Sequence, residues 1–214
     1  MPQNETFDIA GPAGRLEALL MNPDGPPTAA AVLCHAHPLH GGVMHFKVLF
    51  RAAKVLQAHG VAVLRFNFRG VGRSEGVHDR GRGEQADTAA AVDEMARRFP
   101  GLPIVLGGFS FGSVMAVRVG CREPRARALL VMGFPAASVE DTTFLAPCRQ
   151  PRLFVQGDGD TFGNAERIRG IVASLPEPKT LAVIPDSDHF FNGRLDELQA
   201  AVEAWAKTRP WANA

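Results

Sequence analysis

Short apolar runs alternate with longer amphipathic stretches along this chain, and that alternation limits the possible folds more than any other feature. The runs at 29–34, 61–68, 104–109, 128–132, 153–156 and 180–184 are rich in Val, Ile, Leu, Ala and Phe and lack the in-out alternation of a half-exposed strand, so they predict strands buried on both faces. Between them, 46–59 carries apolar residues at helical spacing and stops at Gly60, and 84–99 does the same before Pro100. The stretches 114–121, 165–175 and 195–207 complete the set of helices. Residues 7–9 and 16–21 suggest a leading antiparallel hairpin. Strand-helix alternation with right-handed crossovers implies an α/β fold, a mostly parallel sheet covered by helices on both faces, with any active site at the carboxyl ends of the strands.

With 214 residues, 46% of them hydrophobic and 21% charged, the chain is large enough to bury a full core without staples. No repeat, low-complexity tract or interior composition break marks a linker, so residues 1–214 are expected to form one domain. Lys plus Arg (23) nearly cancels Asp plus Glu (22), which leaves no global field to attract nucleic acid or anionic lipid. The N-terminus has neither the basic patch nor the apolar run of a signal peptide, and no apolar stretch is long enough for a membrane span, so a cytoplasmic location is expected. Three widely spaced cysteines, Cys34, Cys121 and Cys148, suit reduced thiols better than a disulfide framework or a zinc site.

The sharpest local signal is Gly107-Gly108-Phe109-Ser110-Phe111-Gly112, directly after a predicted strand and directly before a predicted helix. This is the nucleophile-elbow pattern G-x-S-x-G. A strand that turns at once into a helix strains the middle residue, and only small residues two positions either side keep Cβ atoms off the neighbouring backbone. An incidental serine in a Gly-rich turn is the bland alternative, and the strand-turn-helix context argues against it.

A serine hydroxyl is a poor nucleophile near neutral pH and needs a histidine base, itself oriented by a carboxylate. In this architecture the chain order is Ser, acid, His. His189 is the one histidine after Ser110, in a loop beyond the last predicted strand. For the acid, Asp158 and Asp160 both follow the strand at 153–156. Asp160 is favoured because it lies beyond the turn and can project over the site, whereas Asp158 is better placed to cap the turn; Asp141 is an outside choice. One oxyanion donor is expected from the backbone N–H of Phe111, at the start of the helix after the elbow. The second should come from the loop His35-Ala36-His37-Pro38-Leu39-His40, where Pro38 has no N–H; His37 is the first choice and Leu39 the second.

Two other readings carry less. His35, His37, His40 and His45 invite a metal, but Pro38 breaks the run and no carboxylate is adjacent, so no metal is expected and the histidines should hydrogen-bond loop backbone. The segment from Arg65 to Gly76 has Gly70 and Gly72 but lacks the third glycine of a dinucleotide loop and any G-K-S/T. It reads as a structural loop whose arginines pair with carbonyls and with Glu75 or Glu84.

Taken in order, the His35 loop, the Arg65–Gly76 segment, Gly108-Phe-Ser-Phe-Gly, Gly157-Asp-Gly-Asp and Asp188-His-Phe-Phe resemble the α/β-hydrolase superfamily, and within it the small, lidless serine hydrolases related to dienelactone hydrolases and carboxylesterases. The likeness spans nearly the whole chain. It implies an α/β-hydrolase fold with no lid domain, and by position makes Ser110 nucleophile, Asp160 acid and His189 base. The loop reads His35-Ala36-His37 where relatives often carry His-Gly or His-Pro-His, and Ser110 stands where dienelactone hydrolases proper carry cysteine, so their substrate is not transferred.

The expected reaction is acyl transfer to water on a small-molecule carboxylic ester, with no cofactor. Only a short stretch separates Phe134 from Leu153, where many relatives insert a lid, so the site should be open, lined by Leu39, Phe109, Phe111 and Phe162, and suited to short or medium acyl chains. Thioester or amide hydrolysis would use the same groups. A non-catalytic ligand-binding hydrolase fold is the rival of another class. The oligomeric state is open, a homodimer included.

Overall fold

The computed structural model describes residues 4–212. The hairpin β1 (Asn4–Gly11) and β2 (Gly14–Met21) leads into β3 (Ala29–Cys34), α1 (Lys47–Ala58), β4 (Val61–Phe66), α2 (Arg82–Arg98), β5 (Ile104–Phe109), α3 (Phe111–Gly120), β6 (Ala126–Met132), β7 (Arg152–Gly157), α4 (Ala165–Ser174), β8 (Lys179–Ile184) and α5 (Leu195–Lys207). These strands form one eight-stranded sheet in the order β1-β2-β4-β3-β5-β6-β7-β8. β2 runs against both its neighbours, and every pair from β4 to β8 is parallel.

Alternate residues along the central strands feed two separate apolar cores. Ala30, Val32, Cys34 and Leu106 face α2, α3 and α4, packing with Val92, Met95, Met115, Val117 and Ile168. Ala29, Ala31, Leu33 and Val105 face α1 and α5, packing with Leu49, Leu56, Leu198 and Val202. Both faces of the central strands β3 to β7 are therefore dry, which is why the sequence shows continuous apolar runs there. β8, expected to be buried on both faces, lies at the sheet edge and is mostly half-exposed. From β3 the chain crosses to β4 on one side and then returns to β5 on the other, so the loops leaving β3 and β5 diverge above a switch point where a crevice opens. Between β6 and β7 lie only single turns at Ala136–Ser138 and Thr143–Leu145, and no lid domain interrupts the sheet.

Three further sequence expectations are amended. β4 ends at Phe66: the Asn67 N–H still reaches the Glu17 carbonyl of β2 at 2.8 Å, but the next N–H, of Phe68, turns away to Nε2 of His35 at 3.0 Å. α3 starts at Phe111, three residues early, since Gly112 and Ser113 read as loop in sequence yet form its first turn. Cys121 and Cys148 are a disulfide with Cα atoms 4.6 Å apart, and only Cys34 is a free thiol. Cys121 follows α3 and Cys148 precedes β7, so the packing of α3 against the sheet, invisible in their spacing, brings them within bridging range. The cysteine count thus no longer argues for a reducing compartment. Among the described residues no helix is long and apolar enough to cross a membrane.

Candidate active site

Ser110 is the single residue between β5 and α3 and has φ 54° and ψ −123°, a strained conformation for a side-chain-bearing residue. Its neighbours hold it there. A Cβ on Gly108 would run into the carbonyl of Gly112, and one on Gly112 into the carbonyls of Cys34 and His35. The first turn of α3 therefore rests directly on the end of β3, so the elbow and the His35 loop share one wall.

Two loops, leaving β7 and β8, complete the constellation. His189, buried, has Nε2 2.9 Å from Oγ of Ser110 and Nδ1 2.7 Å from Oδ2 of Asp160. A carboxylate can only accept, so Nδ1 carries the proton and Nε2 is left to accept from the serine hydroxyl. Rings of Phe162, Phe109 and Phe190, with centroids 4.6, 5.0 and 5.2 Å away, hold the imidazole in place. On its own loop, Oδ1 of Asp188 accepts from the N–H groups of Phe190 and Asn192, fixing the backbone around His189.

Asp160 is only 3% exposed, and its carboxylate is fully engaged. Oδ1 accepts from the backbone of Phe162 and Gly163 at 2.8 and 2.9 Å, and Oδ2 accepts from Nε2 of Gln156 at 2.6 Å as well as from His189. Four donors thus converge on the one carboxylate. Asp158 is exposed and accepts from the N–H of Ser187 at 3.3 Å, a turn-capping contact, while Asp141 is tied to Thr143 by two bonds that hold its carboxyl below the ordinary range. Of the three carboxylates weighed, the fold brings Asp160 to His189.

The loop after β3 is braced by backbone hydrogen bonds of the kind expected for its histidines and for the arginines of the Arg65–Gly76 segment. His35 is wholly buried, with Nδ1 2.6 Å from the Ala36 carbonyl and Nε2 accepting from the N–H of Phe68, so both ring nitrogens are spent. Arg65, also buried, donates to the Met44 carbonyl at 2.9 Å, and Asn67 accepts from the Met44 N–H at 2.8 Å. Arg69 grips Asp87 at 2.7 and 2.9 Å, not Glu75 or Glu84 as expected, and Arg73 reaches Glu17. The Arg65–Gly76 segment is thus a buttress for the His35 loop. A run of polar residues leading directly out of a buried strand was the signal, since such groups must find partners inside.

Burial pushes the His35 imidazole down to about 4, against 6.5 for an unburied ring. The unfolded chain therefore takes up this proton first as pH falls. Stability is complete above the unfolded value and is lost on acidification from 6.5 toward 4, by about 3 kcal/mol over the whole window. Urea unfolding at a series of pH values should show wild type losing more stability than His35→Gln between these limits. Parallel losses in the two proteins would contradict this.

Beside Ser110 lies an open cavity of about 580 Å³. Phe111, Val114, Met115, Pro135, Val139 and Phe162 give it apolar walls, with His37 and His40 on the β3-loop side. Two expected lining residues fall outside it. Phe109 is fully buried, because strand alternation turns it toward the α1 and α5 face, where its ring stacks on Phe46 at 5.3 Å. Leu39 is 70% exposed on the short turn Pro38–His40 and does not line the cavity; its N–H donates to Nδ1 of His37 at 3.2 Å. The backbone N–H groups of His37 and Phe111 donate to no described residue, and their rings are in edge contact at 5.0 Å. Among the described residues no group of three His, Cys, Asp or Glu is gathered in a way that could hold a metal ion.

Comparison with known proteins gives the arrangement a family. A family model described as an alpha/beta hydrolase domain matches residues 27–209. An uncharacterized protein of Rickettsia prowazekii is 34% identical over 206 residues, 92% of this chain and 87% of that one. A solved alpha-beta serine hydrolase homologue from Coxiella burnetii is 35% identical with a TM-score of 0.88, covering 94% of this chain and 96% of its own. A serine hydrolase without lid from Xanthomonas campestris is 31% identical with a TM-score of 0.89, covering 97% and 95%. The chain belongs to the α/β-hydrolase family, and within it to the members that carry no lid.

Proposed function

We propose that this hydrolase cleaves carboxylic esters of short to medium acyl chain through an acyl-enzyme on Ser110. The observation that carries the reading is the continuous contact from Asp160 through His189 to Ser110, at 2.7 and 2.9 Å. His189 Nε2 takes the hydroxyl proton as Oγ bonds to the ester carbonyl carbon, and the carbonyl electron pair moves onto oxygen. The tetrahedral adduct collapses, the C–O bond to the alcohol breaks, and the imidazolium returns its proton to the departing alkoxide. Water, deprotonated by the same nitrogen, then releases the acid and restores Ser110. Asp160 holds the tautomer and stabilises the imidazolium.

The backbone N–H groups of Phe111 and His37 are the proposed oxyanion donors. Support comes from their having no other described partner, whereas the Leu39 N–H is committed to the His37 ring. Preorganised donors of this kind are typically worth about 10²–10³-fold in kcat each. Phe111 and Phe162 are the proposed acyl contacts, and the open, apolar cavity supports chains of modest length over long ones.

The test compares kcat/KM of the purified protein on p-nitrophenyl acetate, butyrate, octanoate and palmitate, with matched thioesters and amides. Highest turnover on acetate to octanoate esters is expected, with a fall at palmitate. A clear preference for thioester or amide would reassign the substrate class while keeping the same residues, and no turnover of any of them would contradict the reading.

A further inference from the structure

Gln156, the penultimate residue of β7, is 1% exposed and touches neither the cavity nor Ser110, yet it contacts the acid of the triad. Its amide has three partners. Oε1 accepts from the N–H of Phe134 at 2.9 Å, and Nε2 donates to Oδ2 of Asp160 at 2.6 Å and to the Gly163 carbonyl at 2.8 Å. These partners leave no freedom in the amide's orientation. The Phe134 N–H can only donate and must face oxygen, while a carboxylate and a carbonyl can only accept and must face the NH₂ group. Side-chain nitrogen is therefore obliged to present a proton to the very carboxylate oxygen that accepts from His189.

We infer that Gln156 is a positioning residue that sets how strongly Asp160 supports the imidazolium of His189. A donor on Oδ2 withdraws charge from the oxygen, so Asp160 orients His189 without over-stabilising its protonated form, which would cost the base its readiness at neutral pH. The same amide joins the loop after β6, whose Pro135 and Val139 wall the cavity, to the loop carrying Asp160, a junction also closed by the Ala137 N–H donating to the Phe162 carbonyl at 2.8 Å. Asp160 is the charged group in contact with His189. Asp188, on the histidine's own loop, faces Asn192, and Asp158 on the acid loop faces the Ser187 backbone; the remaining neighbours of the ring are Ser110 and the phenylalanines Phe109, Phe162 and Phe190.

The inference rests on the triad reading, and the experiment separates the two. The acid limb of kcat/KM toward p-nitrophenyl butyrate is measured for wild type, Gln156→Met and Gln156→Leu, with urea unfolding of each. Removing the donor leaves more charge on Oδ2, so the limb should move to higher pH by about half a unit or more in both variants, with kcat down about tenfold. A wild-type limb that both variants reproduce, however low their activity, would overturn the role of Gln156, as would loss of folding in both, which would mark a purely architectural residue. A wild-type profile with no acid limb, or turnover retained by Ser110→Ala, would instead sink the triad reading itself.

Discussion

Replacing Ser110 by alanine is expected to lower kcat toward a p-nitrophenyl short-chain ester by about 10³-fold or more. The fold should survive the change. The hydroxyl is exposed to the cavity and bonded to His189, and the strained backbone at φ 54° is set by the close approach of Gly108 and Gly112 around it and not by the serine side chain. Circular dichroism and urea unfolding alongside the kinetics would establish that only chemistry was lost. A variant keeping more than a tenth of wild-type turnover would remove Ser110 from the mechanism.

The second large effect is expected at the acid. Asp160→Asn keeps size and burial but turns an obligate acceptor into a group with an NH₂ face, and either of its orientations leaves a donor opposing Gln156 Nε2, the loop amides or His189 Nδ1. The imidazole then loses the partner that fixes its tautomer, and kcat should fall by about 10⁴-fold. Asp158→Asn, two residues away, should cost less than about tenfold, because its one contact is the 3.3 Å bond that tidies the turn against Ser187. Equal or reversed losses would move the acid to Asp158.

The architecture was legible because it is written in periodicity. Apolar runs that do not alternate can be buried only on both faces, and the two cores on either side of the sheet follow from that. Ser110 was legible for a related reason, since it sits where a buried strand turns at once into a helix at the carboxyl edge, and His189 because it is the one histidine after Ser110, in the loop beyond the last strand. Choosing Asp160 over Asp158 required only the length of the turn after β7. What stayed hidden depends on directions that sequence does not carry. Phe109 adjoins Ser110 in the chain, but the strand's twofold alternation sends its ring to the opposite face from the cavity. Leu39 lies in the right loop, yet a single 3₁₀ turn points it to solvent. Cys121 and Cys148 meet only because α3 and the entry to β7 end at the same edge. Gln156 was hidden within its own strand: a polar residue in a fully buried run demands partners, and asking for them leads to Asp160.

The central claim, that Ser110 is an activated nucleophile, is tested most directly by covalent labelling. Incubating the pure protein with a fluorophosphonate and measuring intact mass, followed by peptide mapping, reads the nucleophile without any assumption about substrate. The account predicts one adduct per chain, on the peptide containing Ser110, with labelling abolished in Ser110→Ala and strongly slowed in His189→Gln. An unlabelled wild-type protein, or an adduct that persists in Ser110→Ala, would contradict it.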